Sequence, residues 1–358
     1  MSRFRMPAAV AALGAGLLFT CVPAASAQSA APLRALADRA HVRIGTAVDM
    51  TALADDSTYR ATTGREFSSV TAENVMKWEA VEPQRGAYDW TKADALVRFA
   101  RQHGQAVRGH TLVWHNQLPG WLTSGVADGS IGAAELRGIL RRHIIAEVGH
   151  FKGRIHQWDV VNEVFDDDGS PRDSIWLRTL GPSYIADAFR WAHAADPGAK
   201  LFLNDYNVEG VNAKSTAYYE LARTLRAQGV AVQGFGVQGH LGIQYGFPGD
   251  VAGNLARFEE LGMETAFTEV DVRMVLPADA AKRATQAAYF RGLLDACLAT
   301  RHCTSFTVWG YTDRYSWVPG VFTGQGAATL LDEDFTPKPA YAAVRDGLAA
   351  GRRAVSGA

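Results

Sequence analysis

The sequence predicts an α/β protein, a single-domain (β/α)8 TIM barrel, and three observations predict it. Short β-rich runs alternate with segments whose apolar residues recur at helical spacing, and that alternation implies a parallel sheet. Several runs are apolar almost throughout, Leu201-Phe202-Leu203 for example, which marks strands buried on both faces. Eight such units in about 300 residues suit a closed barrel better than an open sheet. No Pro/Gly/Ser-rich linker and no charge-run boundary interrupts them, so one domain is expected over residues 28–358.

The elements follow in order. Arg3 and Arg5 precede an apolar stretch from Ala8 to Val22, and Ala25-Ser26-Ala27 supplies an A-x-A cleavage signal. Residues 1–27 therefore read as a secretory signal peptide. The apolar stretch is shorter than the roughly 20 residues a membrane span needs. Phe19 and Thr20 are poor residues to precede a lipidated Cys21. The chain is expected to be exported, secreted or periplasmic, and free of the membrane after cleavage. Strands are expected at His41–Val48, Ser68–Thr71, Ala106–Val113, Ile155–Asn162, Lys200–Asp205, Gly234–Gln238, Glu264–Val270 and Thr304–Trp309. Helical spacing lies between them, as in Ala93, Leu96, Val97 and Ala100, or Leu136, Ile139, Leu140 and Ile144. Cleavage of the leader leaves Cys297 and Cys303. An even pair six apart in an exported chain suggests a disulfide closing a short loop. The spacing lacks the C-x2-C of zinc sites, and no second Cys/His cluster accompanies it.

Charge excludes some partners. Lys plus Arg is 36 against 37 Asp plus Glu, which leaves no electrostatic footprint for nucleic acid or an anionic membrane. Nothing calls for more than a monomer.

In a barrel, function sits at the C-terminal ends of the strands. The second strand is followed by Glu73, Asn74 and Lys77, and the third by His110, Trp114 and His115. The fourth ends in Asn162 and Glu163, and the fifth in Asn204, Asp205 and Tyr206. The sixth ends in Gln238 and His240, the seventh in Glu269 and Asp271, and the eighth in Trp309, with Trp317 beyond. Charged residues at strand ends often serve only solubility. That does not account for Glu, His, Asn and Trp converging with so few Lys or Arg among them. Glu163 and Glu269 face one another across the mouth. Glycoside hydrolysis needs such a pair: one carboxylic acid protonates the leaving oxygen, while the other attacks the anomeric carbon or activates water. Indoles suit the apolar C–H faces of sugar rings, and amides suit their hydroxyls.

Seven stretches, in order, carry a family resemblance. They are Ser69-Val70-Thr71-Ala72-Glu73-Asn74-Val75-Met76-Lys77-Trp78, Gly109-His110-Thr111-Leu112-Val113-Trp114-His115, Trp158-Asp159-Val160-Val161-Asn162-Glu163, Asn204-Asp205-Tyr206-Asn207, Gln238-Gly239-His240-Leu241, Thr268-Glu269-Val270-Asp271 and Thr307-Val308-Trp309-Gly310. The chain resembles glycoside hydrolase family 10, the retaining endo-β-1,4-xylanases, from about Ala40 to Leu348. The resemblance implies Glu163 as general acid/base and Glu269 as nucleophile, with xylan and xylo-oligosaccharides as substrates and no cofactor. It implies Asn162 on the 2-hydroxyl of the reacting sugar, with Lys77, His110, Trp114, Gln238, Trp309 and Trp317 around that sugar. Glu73 and Asn74 fall one subsite further out, and Tyr206 on the leaving-group side. His240, backed by Asp271, is implied to orient the nucleophile. A closely spaced Cys pair before the last strand is common in the family. The departures are Gly239 where Ser is usual, Val270 where Leu is usual, and Tyr311 where a small apolar residue is common. Tyr311 is expected to alter how the glycone side closes.

Other patterns have simpler readings. Gly234-Phe235-Gly236-Val237-Gln238-Gly239 matches G-x-G-x-x-G, but overlaps a strand rather than opening a helix. Small residues in a barrel strand make room for facing side chains. His110, His115 and His240 are the ligands a metal-dependent barrel hydrolase would use, although His115 alone reads as a hydrogen-bonded structural residue. Asp166-Asp167-Asp168-Gly169 lacks the alternating ligands of a calcium loop and reads as a solvated turn. Of the nine Trp, Trp90, Trp176 and Trp191 read as helix packing, and Trp78, Trp121 and Trp158 are open. A binding barrel without catalysis is the other class of reading, against which stand both acids and their supporting residues.

Overall fold

The computed structural model describes Met1 and residues 31–352. The signal peptide expected over 1–27 lies, Met1 apart, outside the described residues. The chain divides at Pro32 into two units, and the fold is that of the second.

Its strands are β1 (Arg43–Val48), β2 (Ser69–Ala72), β3 (Ala106–Gly109), β4 (Gln157–Asn162), β5 (Lys200–Asp205), β6 (Gly234–Val237), β7 (His240–Gly242), β8 (Glu264–Val275), β9 (Cys303–Val308) and β10 (Gln325–Gly326). Strands β1 to β6, β8 and β9 pair in parallel, each with its neighbour, and β9 pairs back with β1. The sheet is therefore a closed eight-stranded barrel. Helices separate the strands and pack their apolar stripes inward, as Ala93, Leu96, Val97, Phe99 and Ala100 do from the helix Thr91–Gln102. Side-chain caps start several of them. Asp49 and Asp56 accept from the first-turn N–H groups of their helices, and Asn212 with Ser215 forms a reciprocal capping box.

Most strand ends fall within two residues of expectation, and two differ by four or more, both on the functional side. β3 ends at Gly109 rather than Val113. The chain then leaves the ladder through a cis His110–Thr111 peptide, and Val113 meets Val161 only as an isolated bridge. β8 runs on to Val275 because β7 and β10 supply pairing partners beyond the barrel. Cys297 and Cys303 form the expected disulfide, joining the helix Ala280–Ala299 to the start of β9.

Register decides which side chains reach the barrel interior. Phe202 and Asn204 lie two apart on β5 and share a face. Their β4 partners are Asp159 and Asn162, which lie three apart, because the register slips between Asp159 and Val161. The bulge brings Asp159 and Asn162 to one face despite their odd spacing. β8 slips likewise between Phe267 and Val270. Consecutive residues Thr268 and Glu269 can then both reach Asn204. The glycines of β6 leave space at this level. A Cβ on Gly234 would meet the Phe202 ring at 2.2 Å, and one on Gly236 would meet Asn204 Oδ1 at 2.4 Å. Gly234 and Gly236 are thus barrel-packing residues in a strand, and no helix follows them directly.

Candidate active site

The mouth of the barrel at the C-terminal strand ends holds a cleft of about 630 Å³. Every residue expected to catalyse or to bind sugar lines it: Glu73, Asn74, Lys77, His110, Trp114, Asn162, Glu163, Tyr206, Gln238, His240, Glu269, Trp309 and Trp317. Asp271 stands behind them, buried under His240.

Glu163 leaves β4 in the left-handed region, at φ 57°. That conformation costs a non-glycine residue of order 1 kcal/mol, and the surroundings hold it. The Glu163 N–H donates to the Asn204 carbonyl at 2.9 Å, and its carbonyl accepts from Arg172 Nε at 2.8 Å. Its carboxylate accepts three neutral donors: Trp114 Nε1 at 2.8 Å, Gln238 Nε2 at 3.1 Å and Asn162 Nδ2 at 3.2 Å. His115 Nδ1 stands 4.0 Å from the same carboxylate. Burial pulls the imidazole of His115 below its usual range; Glu163 opposes this, and Arg172 and Lys214 add to it.

Glu269 is held differently. One carboxylate oxygen accepts Asn204 Nδ2 at 2.8 Å and the other accepts His240 Nε2 at 3.3 Å. The Asp271 carboxylate accepts His240 Nδ1 at 3.0 Å and Trp317 Nε1 at 2.7 Å. Burial disfavours a charged His240, but Asp271 and Glu269 outweigh it and raise the imidazole to about 10. Burial would likewise push Glu269 up. His110, the hydrogen bond and charge of His240, and Arg108 outweigh that and hold the carboxyl at about 2. Between these two values Glu269 is an anion facing an imidazolium.

Glu73, Asn74 and Lys77 belong to a separate network. Lys77 Nζ donates to Asn74 Oδ1 at 3.0 Å and to Gln117 Oε1 at 2.6 Å. Burial pulls Lys77 below the usual ammonium range, against the attraction of Glu269, Glu73 and Glu163. Burial, then the charge of Asp49, raises Glu73 to about 7, with Lys77 opposing. On the opposite side, Tyr206 accepts from Arg172 at 2.9 Å, and Lys214 lies over its ring at 3.6 Å.

Four supporting residues had no role assigned from the sequence. Asp159 accepts from His110 Nδ1 at 2.8 Å and pairs with Arg108. Asn204 bridges Asn162 and Glu269, each at 2.8 Å. Arg172 clamps the Glu163 backbone, and Gln117 holds Lys77. Asp159 and Arg108 were legible in principle: a lone acid and a lone base inside apolar strands must find partners when buried.

Other expectations are corrected. Tyr311 does not face the cleft; it is buried, stacks on Tyr59 at 4.8 Å and donates to the Tyr59 carbonyl at 2.6 Å. Its hydroxyl needs those buried acceptors, so it packs into the core. His115 is not a hydrogen-bonded structural residue, since its buried Nδ1 has no partner. The three histidines do not converge: His110 serves Asp159, His115 flanks Glu163, and His240 bridges Glu269 and Asp271. His110, Asp159 and Glu269 do bring ligand atoms within 4.8 Å of one another. The Oδ2 atom of that Asp159 carboxylate pairs with Arg108 and accepts from His110 Nδ1. Trp78 stacks on His143 at 3.6 Å, Trp121 donates to the Glu82 carbonyl at 3.1 Å, and Trp158 is buried against Gly109. All three are packing residues. The Asp166–Gly169 stretch is a turn whose acids serve Arg172, Lys214, Asn207 and Ser170.

A parallel barrel that brings two carboxylates to one mouth, one among neutral donors and one against cations, is the architecture of a glycoside hydrolase. The family model for glycosyl hydrolase family 10 matches residues 32–347, and the chain belongs to that family. It is 46% identical over 318 residues to an endo-1,4-beta-xylanase of Agaricus bisporus, covering 88% of this chain and 94% of that one. It is 42% identical to endo-1,4-beta-xylanase B of Thermotoga neapolitana, over 92% of this chain and 95% of the relative. Among solved structures, xylanase 10B of Thermotoga petrophila in complex with xylobiose is similar at a TM-score of 0.85 and 42% identity, covering 88% of this chain and 97% of that one. A mutant of an intracellular xylanase from Thermoanaerobacterium saccharolyticum, in complex with xylotetraose, is similar at a TM-score of 0.80 and 35% identity, covering 88% and 99%.

Proposed function

We propose that the protein is an endo-β-1,4-xylanase that hydrolyses xylan and xylo-oligosaccharides by a retaining double displacement. Glu269 is the nucleophile. Glu163 is the general acid that protonates the leaving oxygen, then the general base that activates water. The observation that carries this assignment is the contrast between the two carboxylates. Glu269, buried against the His240 imidazolium, is ionised and ready to attack. Glu163 sits among neutral donors on the side of Tyr206, where a leaving group departs. When the glycosyl-enzyme forms, the negative charge of Glu269 is consumed, and Glu163 takes the proton of the attacking water in the second step. In this reading Asn162, which donates to Glu163 and accepts from Asn204, meets the 2-hydroxyl of the reacting sugar. We further infer, from the leader alone, that the enzyme is exported.

The test is reducing-sugar release and product sizing on β-1,4-xylan, with carboxymethylcellulose in parallel and Glu269→Gln as control. Short xylo-oligosaccharides from the unmodified enzyme alone are the expected result. Release from cellulose instead would keep the mechanism and move the specificity. Binding without release from either polymer overturns the catalytic reading.

A further inference from the structure

Glu163 is aimed by its backbone as well as by the donors around its carboxylate. It stands just past the end of β4 with φ at 57°. Its own N–H still reaches the Asn204 carbonyl on β5. The next peptide unit, between Glu163 and Val164, is held at both ends by side chains. Its carbonyl accepts from Arg172 Nε at 2.8 Å. Its N–H, on Val164, donates to Tyr218 Oη at 2.9 Å. The peptide planes on either side of Cα fix φ and ψ of Glu163, and so the direction of its side chain. Freeing the second plane frees that direction.

Tyr218 holds the plane from behind. It is fully buried on the helix Ala213–Ala227. Its ring meets Phe165 edge to face at 4.9 Å and tilts against Phe235 at 5.3 Å. Its hydroxyl donates to Asp205 Oδ2 at 2.6 Å, which leaves oxygen lone pairs for the Val164 N–H. Asp205 is fixed in turn. Its Oδ1 accepts from the Tyr206 N–H at 2.7 Å and from the buried Lys214 Nζ at 2.9 Å. One partner would satisfy a buried phenol; this one has a second, on the residue that follows the general acid.

Tyr218, Asp205 and Lys214 do not line the cleft. Asp205 and Lys214 also bear on Tyr206, through its N–H and its ring. Tyr218 bears on the turn that carries Glu163.

We propose that Tyr218 is a positioning residue for general acid catalysis: its hydroxyl holds the peptide after Glu163 so that the carboxyl meets the glycosidic oxygen. The proposal rests on the xylanase reading above, in which Glu163 is the acid. A misplaced proton donor loses much of its advantage. That loss falls only where the leaving group needs the proton. A departing sugar hydroxyl needs it, and a strongly acidic phenol leaves without it.

The experiment compares kcat/KM, which reports the step that breaks the glycosidic bond, on xylotetraose and on dinitrophenyl β-xylobioside. Glu163→Ala sets the full split, with a loss of about 10²-fold or more on xylotetraose and about tenfold or less on the dinitrophenyl glycoside. Tyr218→Phe keeps the ring and removes the hydroxyl. It should lower the value on xylotetraose about tenfold and change that on the dinitrophenyl glycoside by about twofold or less. Tyr219→Phe removes a hydroxyl from the next residue, whose ring packs on Phe258, and should leave both values unchanged. If Tyr218→Phe does not fold, Tyr218→Met fills the space with a flexible side chain that also lacks the hydroxyl, and the same split is expected. A similar fall on both substrates, or no fall on xylotetraose, overturns the proposal, because general loosening of the site does not distinguish leaving groups. No split in Glu163→Ala would instead overturn the assignment of the acid. Inactivity of the unmodified enzyme on both substrates would overturn the xylanase reading itself.

Discussion

Each catalytic carboxylate has its own imidazole, and the two imidazoles are driven in opposite directions. His115 stands beside Glu163 with a buried, unpartnered nitrogen, and burial, with Arg172 and Lys214, pulls it below its usual range against Glu163 and Asp166. His240 stands between Glu269 and Asp271, and the two carboxylates keep it charged. The residue types at the two sites are the same. The difference is the third partner: behind His240 lies a buried carboxylate, and around His115 lie cations. The charge on each imidazole is thus set by burial and by what stands behind it.

The comparison can be broken at its strongest point first. Glu269→Ala should abolish xylan hydrolysis, by roughly 10⁴-fold or more in kcat, and azide should give no product that retains the anomeric configuration. Glu163→Ala should cost less, about 10²–10⁴-fold, and azide should restore turnover with retained configuration. If azide rescue with retention came from the Glu269 variant, the two roles would have to be exchanged. Product configuration by NMR reads both.

His240→Asn sharpens the contrast. Removing the imidazolium lets the Glu269 carboxyl rise from about 2. Activity needs the anion, so the acid limb of the kcat/KM profile should move to higher pH, with a loss of about tenfold near pH 4. Stability follows the same linkage. The lowered Glu269 contributes stability that is present above its ordinary 4.5 and lost as pH falls toward about 2. The raised His240 contributes stability that is full below its ordinary 6.5 and lost as pH rises through about 10. Urea unfolding at about pH 6 and about pH 10 should therefore show a smaller alkaline loss in His240→Asn than in the unmodified chain. An unchanged acid limb would mean that His240 only orients Glu269.

The smallest effect on chemistry is expected at the disulfide. Paired Cys297→Ser and Cys303→Ser substitutions open a loop with a sequence separation of 6. They should lower stability by about 2 kcal/mol while kcat on xylan stays the same. A fall in kcat matching that of His240→Asn would show that the site depends on general stability rather than on the pairing of its imidazoles.

How much was legible differs along the chain. The barrel follows from alternating patterns, and the strand β5 is placed as expected to the residue. Glu163 and Glu269 are visible because they close apolar strands, as are the Trp and amide residues beside them. The boundaries that missed by most are those of β3 and β8, where the ladder ends or continues according to which other segments arrive to pair with it. Tyr311 failed for a similar reason: a tyrosine near an active-site loop reads the same whether it faces the cleft or Tyr59. Asp159 and Asn204 had no assigned role because side-chain direction in a strand is inferred from alternation, and bulges in β4 and β8 break that alternation just before each catalytic residue.

The sequence by itself determined the class of fold, the pair of acids and the chemistry they suit, since these depend on residue type and local period. Tertiary structure decided that Glu269 is held ionised and that His240 is held charged. Those properties are set by burial and by neighbours distant along the chain, from His240, 29 residues before Glu269, to Arg108, 161 before it. Electrostatic energy depends on distance and exposure through space, and neither is written in the order of the residues.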